Sequence, residues 1–228
     1  MPQLPIDPKR SALVLFDMLN HYLKPSEPAI AKEIAEKRVV EHTARLLAAA
    51  REHGVSVFYT NGDHRADGRD FIATITDANM NLQSWPDGPQ MMPHRAMVAS
   101  GTHGAQPVDE LAPRPEDITI LKHRWSSFAG THLDHLLRSR EINTLLLCGG
   151  STDVGIASTA YAARDLGYHL VIVRDCCHSE RPGAQDFFMD RLFPRMARVM
   201  NADEAIRLLT AGARSGGGAA AGQARGGA

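Results

Sequence analysis

The chain has no uninterrupted run of the ~18 apolar residues that a membrane-spanning helix needs. Its opening, Met1 to Pro8, lacks the basic-then-apolar order of a secretion signal. A cytoplasmic protein without a membrane partner is therefore expected. Cysteine is scarce: Cys148, Cys176 and Cys177 are too few and too crowded for a disulfide framework, and they read as reduced, partly buried thiols. Charge of one sign is missing as well. With 25 basic and 26 acidic residues the formal net charge is −1, which gives no basic footprint for nucleic acid. There is no Gly-x-x-x-x-Gly-Lys-Ser/Thr phosphate loop after any strand, and no nucleotide-binding fingerprint. Asp63, His64 and Asp67 lack three-ligand spacing, and His94, His103 and His123 are dispersed. Neither a metal nor any other cofactor is expected.

What is present is 228 residues, 43% of them hydrophobic and 22% charged, which suits one globular domain with a sizeable core. Ser11 to Phe16 is a short apolar run without alternation, as in a parallel strand covered on both faces. A helix is predicted over residues 30 to 53, stopped by Gly54, and a strand over Val55 to Thr60. Residues 71 to 80 read as a helix inside a Gly- and Pro-punctuated stretch, so 61–105 is a candidate lid or oligomer-contact insertion. Strands then follow at Asp117 to Lys122, Ile142 to Cys148, His169 to Arg174 and Arg195 to Met200. Helices are predicted at His132 to Ser139, Thr152 to Leu166, Gln185 to Leu192 and Ala202 to Thr210. This alternation predicts a doubly wound α/β fold: a mostly parallel, six-stranded sheet with helices on both faces. The domain is expected to span 1–210. Ala211 to Ala228 contains 7 glycines and 7 alanines, offers little to bury, and reads as a disordered tail.

Ligands of open α/β sheets bind beyond the carboxyl ends of the strands. That rim should hold Asp17, Asn61, Lys122, Gly150-Ser151-Thr152 and Asp175. Asp17 closes a buried strand, where an ionised carboxylate needs a partner that Lys122 could supply. Such a pair suits either proton transfer or a structural ion pair. The Cys148-Gly-Gly-Ser-Thr-Asp153 turn opens a helix whose N–H groups, near Gly150, Ser151, Thr152 and Gly155, could hold an anionic oxygen. His21, Tyr22, Trp125, Phe128 and Tyr161 are candidate pocket-lining residues.

The segments carrying these residues resemble the isochorismatase-like superfamily, which includes isochorismatases and many cysteine amidohydrolases. The similar text is Leu15-Phe-Asp17-Met, then Leu121-Lys122-His-Arg-Trp-Ser-Ser-Phe128-Ala-Gly-Thr131. It continues as Leu147-Cys-Gly-Gly-Ser151-Thr152-Asp153-Val-Gly155-Ile-Ala-Ser-Thr159 and Gly167-Tyr-His-Leu-Val-Ile-Val-Arg-Asp175. Order and spacing agree over residues 11 to 210. The resemblance implies homo-oligomers and a cis peptide bond at Gly150–Ser151. It also implies an aspartate acid/base at Asp17 supported by Lys122, and a cysteine nucleophile where this chain has Gly155.

Glycine closes the thioester route at that position. Isochorismatases also lack the cysteine; they use the aspartate to protonate a vinyl ether while water attacks. The resemblance therefore implies a metal-independent hydrolase of a small anionic or carbonyl-containing metabolite, working by direct water attack. The alternatives are a C–N amidohydrolase with another nucleophile, such as Ser151, Thr152 or Ser126, and a non-catalytic binding protein on the hydrolase fold.

Overall fold

A computed structural model describes residues 3–70 and 98–222. Six strands form its sheet: β1 (Ser11–Phe16), β2 (Ser56–Gly62), β3 (Ile118–Lys122), β4 (Thr144–Gly150), β5 (His169–His178) and β6 (Arg198–Met200). Their order is β3-β2-β1-β4-β5-β6, and every pairing is parallel, as the alternation of strands and helices predicts. Every residue of β1 is buried because both faces of the sheet are covered. Leu13 and Leu15 pack into the layer built with α3 (Val39–Glu52) and α7 (Ala202–Gly222). Ala12, Val14 and Phe16 point the other way, towards α4 (Leu133–Arg138) and α5 (Ala157–Asp165). Strand order reverses between β1 and β4. The carboxyl ends of β1 to β4 therefore meet at the crevice where open sheets of this kind bind ligands.

Four local expectations are corrected. The helix predicted over residues 30 to 53 is two, α2 (Pro28–Glu36) and α3, because Arg38 adopts a left-handed conformation (φ 51°). Its guanidinium pairs with Glu41, and this break leaves the order of apolar residues unchanged, so periodicity does not reveal it. β5 runs four residues past Arg174 through an irregularity: Leu147 pairs with Ile172 but Gly149 with Cys177, five steps on β5 against two on β4. That excursion turns Asp175 away from the rim. Its Oδ1 accepts the Ala202 N–H at 2.8 Å and caps α7, and its Oδ2 lies 3.5 Å from His42.

The tail expected from Ala211 is instead helical as far as Gly222. Alanine favours helix, and at Gly212 the helix backbone abuts the N-terminal segment: a β-carbon there would meet the Ile6 carbonyl oxygen at 1.9 Å. Finally, His123 is not isolated but joins a cluster at the rim, described below. The helix predicted over 71–80 and most of the candidate lid lie outside the described residues. The described ends of that segment are joined, the His64 N–H donating to Val98 O at 3.0 Å and the Ser100 N–H to His64 O at 2.8 Å.

Candidate active site

Asp17 follows the last residue of β1 in a left-handed conformation (φ 50°), which turns its side chain back over the strand ends. Its Oδ1 accepts the Gly62 N–H at 2.6 Å, and its Oδ2 accepts a hydrogen bond from Lys122 Nζ at 2.8 Å. Both side chains are buried, 9% and 5% exposed. Burial raises the Asp17 pKa above the usual carboxylate value, against the opposing pull of Lys122, the Gly62 N–H and His64. A carboxyl held in this way can carry a proton at a pH where an exposed aspartate would not. Strand register explains the meeting: Gly62 pairs with Lys122 across β2 and β3, and Asp17 N–H bonds to Thr60 O beside them.

Lys122 Nζ also lies over the ring of Phe16, 3.9 Å from its centroid. The same ring abuts Gly155. A β-carbon on Gly155 would stand 2.2 Å from Phe16 Cε1 and 2.3 Å from Cζ. Gly155 lies in a turn of π helix, Thr152–Ile156, that opens α5. Wide turns of this kind often occur at functional sites.

The turn leading into that helix is tightly fixed. The Gly150–Ser151 peptide bond is cis. Gly149 has φ 133° and sits against the Phe16 carbonyl, where a β-carbon would be 2.0 Å from the oxygen. At Gly150 a β-carbon would meet the His178 ring at 2.3 Å. Ser151 Oγ donates a short hydrogen bond to Asp153, Ser179 Oγ donates to Asp153 Oδ1 at 2.7 Å, and Arg181 pairs with Oδ2 at 2.8 Å. Burial favours the neutral form of Asp153, yet these donors together hold its pKa below the usual value. A carboxylate so stabilised is a weak base for activating Ser151. Thr152 Oγ1 is bonded to Gln185, which in turn donates to the carbonyls of Arg174 and Cys177.

Of the remaining predicted residues, Tyr22 lies within electrostatic reach of Asp17. Its hydroxyl pKa is raised by burial and by the negative charges of Asp17 and Glu180. His21 packs edge-on against Tyr22, with ring centroids 4.9 Å apart. Asn61 is buried, and its Oδ1 accepts no hydrogen bond among the described residues. Phe128 is partly buried and stacks on Tyr168, with ring centroids 5.8 Å apart, in the layer under α4 and α5. Trp125 and Tyr161 are exposed, by 65% and 47%. Ser126 Oγ accepts the Phe128 N–H at 3.2 Å.

The three cysteines are free and buried. Burial pushes the thiols of Cys148 and Cys177 well up, so neither supplies a thiolate. Sequence reasoning missed Phe16, whose place in an apolar run reads as core. It also missed Asp153 and His178, whose partners are distant in sequence, and weighed His64 only beside Asp63 and Asp67. His178 is buried and held neutral, its pKa lowered to about 4 by desolvation.

Where no three-ligand spacing was predicted, one group of donors does converge among the described residues. His64, Asp70 and His123 each offer a ligand atom within 4.8 Å of the others. Asp70 Oδ2 is 3.6 Å from Nδ1 of each histidine, and His123 Nδ1 is 2.6 Å from the Asp63 carbonyl oxygen. A divalent cation could bridge these side chains. Asp17 and Lys122 do not belong to the group.

A family profile described as the isochorismatase domain matches residues 11–204. The chain is 30% identical over 206 residues to the uncharacterized isochorismatase family protein YecD of Escherichia coli O157:H7, covering 90% of this chain and all of YecD. It is 33% identical over 182 residues to the ureidoacrylate amidohydrolase RutB of Cronobacter sakazakii, covering 77% of each. Among solved structures, an isochorismatase family protein from Burkholderia thailandensis superposes with a TM-score of 0.72. It is 28% identical, and the match covers 91% of this chain and all of that one.

Proposed function

The chain belongs to the isochorismatase family, and from that membership we propose that it is a hydrolase that attacks with water directly. Its substrate in this reading is a small anionic or carbonyl-containing metabolite, with Asp17 and Lys122 at the reacting centre and no metal or other cofactor. The observation that carries the proposal is the buried Asp17–Lys122 pair, linked through the Phe16 ring to Gly155, a residue with no nucleophilic side chain. Asp17 supplies the proton that activates the substrate, and its raised pKa favours the protonated form this requires. With a vinyl ether as substrate, protonation at carbon leaves a cation that water captures. The resulting hemiketal collapses to a carbonyl product, and the proton released by water returns to Asp17. Lys122 holds the carboxylate when the proton is away and offers its charge to a substrate anion. The protein is proposed to act in the cytoplasm as a homo-oligomer.

The kinship with RutB favours a second reading, cleavage of a C–N bond, with Ser151, Thr152 or Ser126 as the candidate nucleophiles. One assay separates the two. Purified protein is offered isochorismate, with pyruvate as the readout, and a panel of ureido acids and amides, with ammonia as the readout. Pyruvate release, lost in Asp17→Asn with folding intact, supports the first reading. Ammonia release with a trapped acyl adduct supports the second. Specific binding of these compounds without turnover of any of them would leave a binding protein on the hydrolase fold.

A further inference from the structure

Phe16 touches both sides of the proposed reaction centre. β-strand alternation sends its ring to the α4–α5 face, where it is 2% exposed. Its edge lies against Gly155 so closely that any β-carbon there would overlap it, at 2.2 and 2.3 Å against the ~3.5–4.0 Å of a normal carbon contact. Its face carries the Lys122 ammonium at 3.9 Å, and that ammonium donates to Asp17 Oδ2 at 2.8 Å. Through the backbone, Phe16 is also the residue next to Asp17.

We propose that Phe16 and Gly155 are a matched pair: the ring takes the volume a side chain at position 155 would need, and its π face positions Lys122 on Asp17. An aromatic face attracts a cation, more strongly once water is removed, and this ring is buried. The ammonium is thus held from two directions, by the carboxylate and by the ring. On this view the crevice is refitted around Asp17 and Lys122, and a thiol could not be restored at position 155 by one substitution. The matched pair stands on geometry alone. Its meaning for turnover rests on the reading of Asp17 as the proton carrier, so the tests below need no substrate.

The first test is a cycle of Gly155→Ala, Phe16→Leu and the double variant, read by Tm. Gly155→Ala should lower Tm by several degrees when Phe16 is present, and by much less in the Phe16→Leu background, where the smaller side chain leaves the space open. Should Gly155→Ala not fold, recovery of folded protein in the double variant reads out the same coupling. Additive losses would overturn the pairing.

The second test replaces Phe16 with phenylalanines carrying one to three ring fluorines, which weaken the π face while keeping the ring's shape. The Asp17 carboxyl is titrated by carbon NMR. Among the described residues, Lys122, His64 and Tyr22 are the charged or titratable groups that act on it, and all are unchanged along the series. A titration midpoint that climbs stepwise with fluorination, as Lys122 loosens its hold, supports the positioning role. A flat series would overturn it, whether or not the protein hydrolyses anything.

Discussion

Replacing Lys122 with Met tests how the centre is held together. The substitution keeps the long apolar stem but removes the ammonium that lies 2.8 Å from Asp17 Oδ2, in a pair whose members are 5% and 9% exposed. Among the described residues, Asp17 would retain the Gly62 N–H at 2.6 Å and the weaker pull of His64. Removing one partner of a buried ion pair typically costs ~3–5 kcal/mol, because the surviving charge is left without compensation. The cost depends on pH in a definite direction. Burial already raises the Asp17 pKa above 3.8, and losing the cation raises it further. A carboxyl raised on folding contributes stability that is fully present below its unfolded pKa and is lost as pH rises through the folded one. The penalty of Lys122→Met should therefore open as pH rises above about 4 and reach its full size once Asp17 ionises. Below pH 4 it should close or reverse, since the wild type then carries the unpaired charge. Urea unfolding from pH 4 to 9 reads this as a midpoint difference of about 1 M or more at high pH, given slopes of ~1–3 kcal/mol/M or somewhat above. A difference that does not vary with pH, or stays under ~1 kcal/mol throughout, would refute the reasoning.

Asp17→Asn should lower kcat by about 100-fold or more at unchanged circular dichroism, the loss expected when a general acid is removed. Ser151→Ala should cost less than about tenfold in turnover, since its hydroxyl is committed to Asp153; loss comparable to Asp17→Asn would make Ser151 the nucleophile. Gly149→Ala should yield no folded protein, because the new β-carbon would lie 2.0 Å from a backbone oxygen at φ 133°; recovery of native protein contradicts that geometry. Dialysis against a chelator should leave turnover unchanged. Loss of activity restored by zinc would give the His64, Asp70 and His123 cluster a catalytic part.

Much of the architecture was legible because the central strands are short apolar runs, most of them followed by a helical stretch among the described residues. Asp17 and Lys122 were legible for the same reason, as charges at the ends of such runs. Asp175 obeys the same pattern but caps α7, since the irregularity in β5 inserts residues that no alternation signals. Phe16 could not be distinguished from Val14 by composition; only the approach of Gly155 and Lys122 separates them. Trp125 and Tyr161 lie near the rim in sequence, but sequence proximity does not fix the direction of a side chain, and both are exposed. Asp153 gains its partners from residues 179 and 181, a closure that depends on how β5 returns beside β4.

The buried cysteines give the protein an internal clock for its own opening. Cys148 and Cys177 sit on neighbouring central strands, with Cys176 adjacent, and all three thiols are inaccessible in the closed state. A thiol reagent can reach them only after the sheet parts, so labelling proceeds no faster than that opening. At low reagent the rate reports the equilibrium population of the open form; at saturating reagent it reports how often the sheet comes apart. The unmodified chain can thus time the breathing of its catalytic scaffold, with no dye, tag or engineered probe in the sheet it measures.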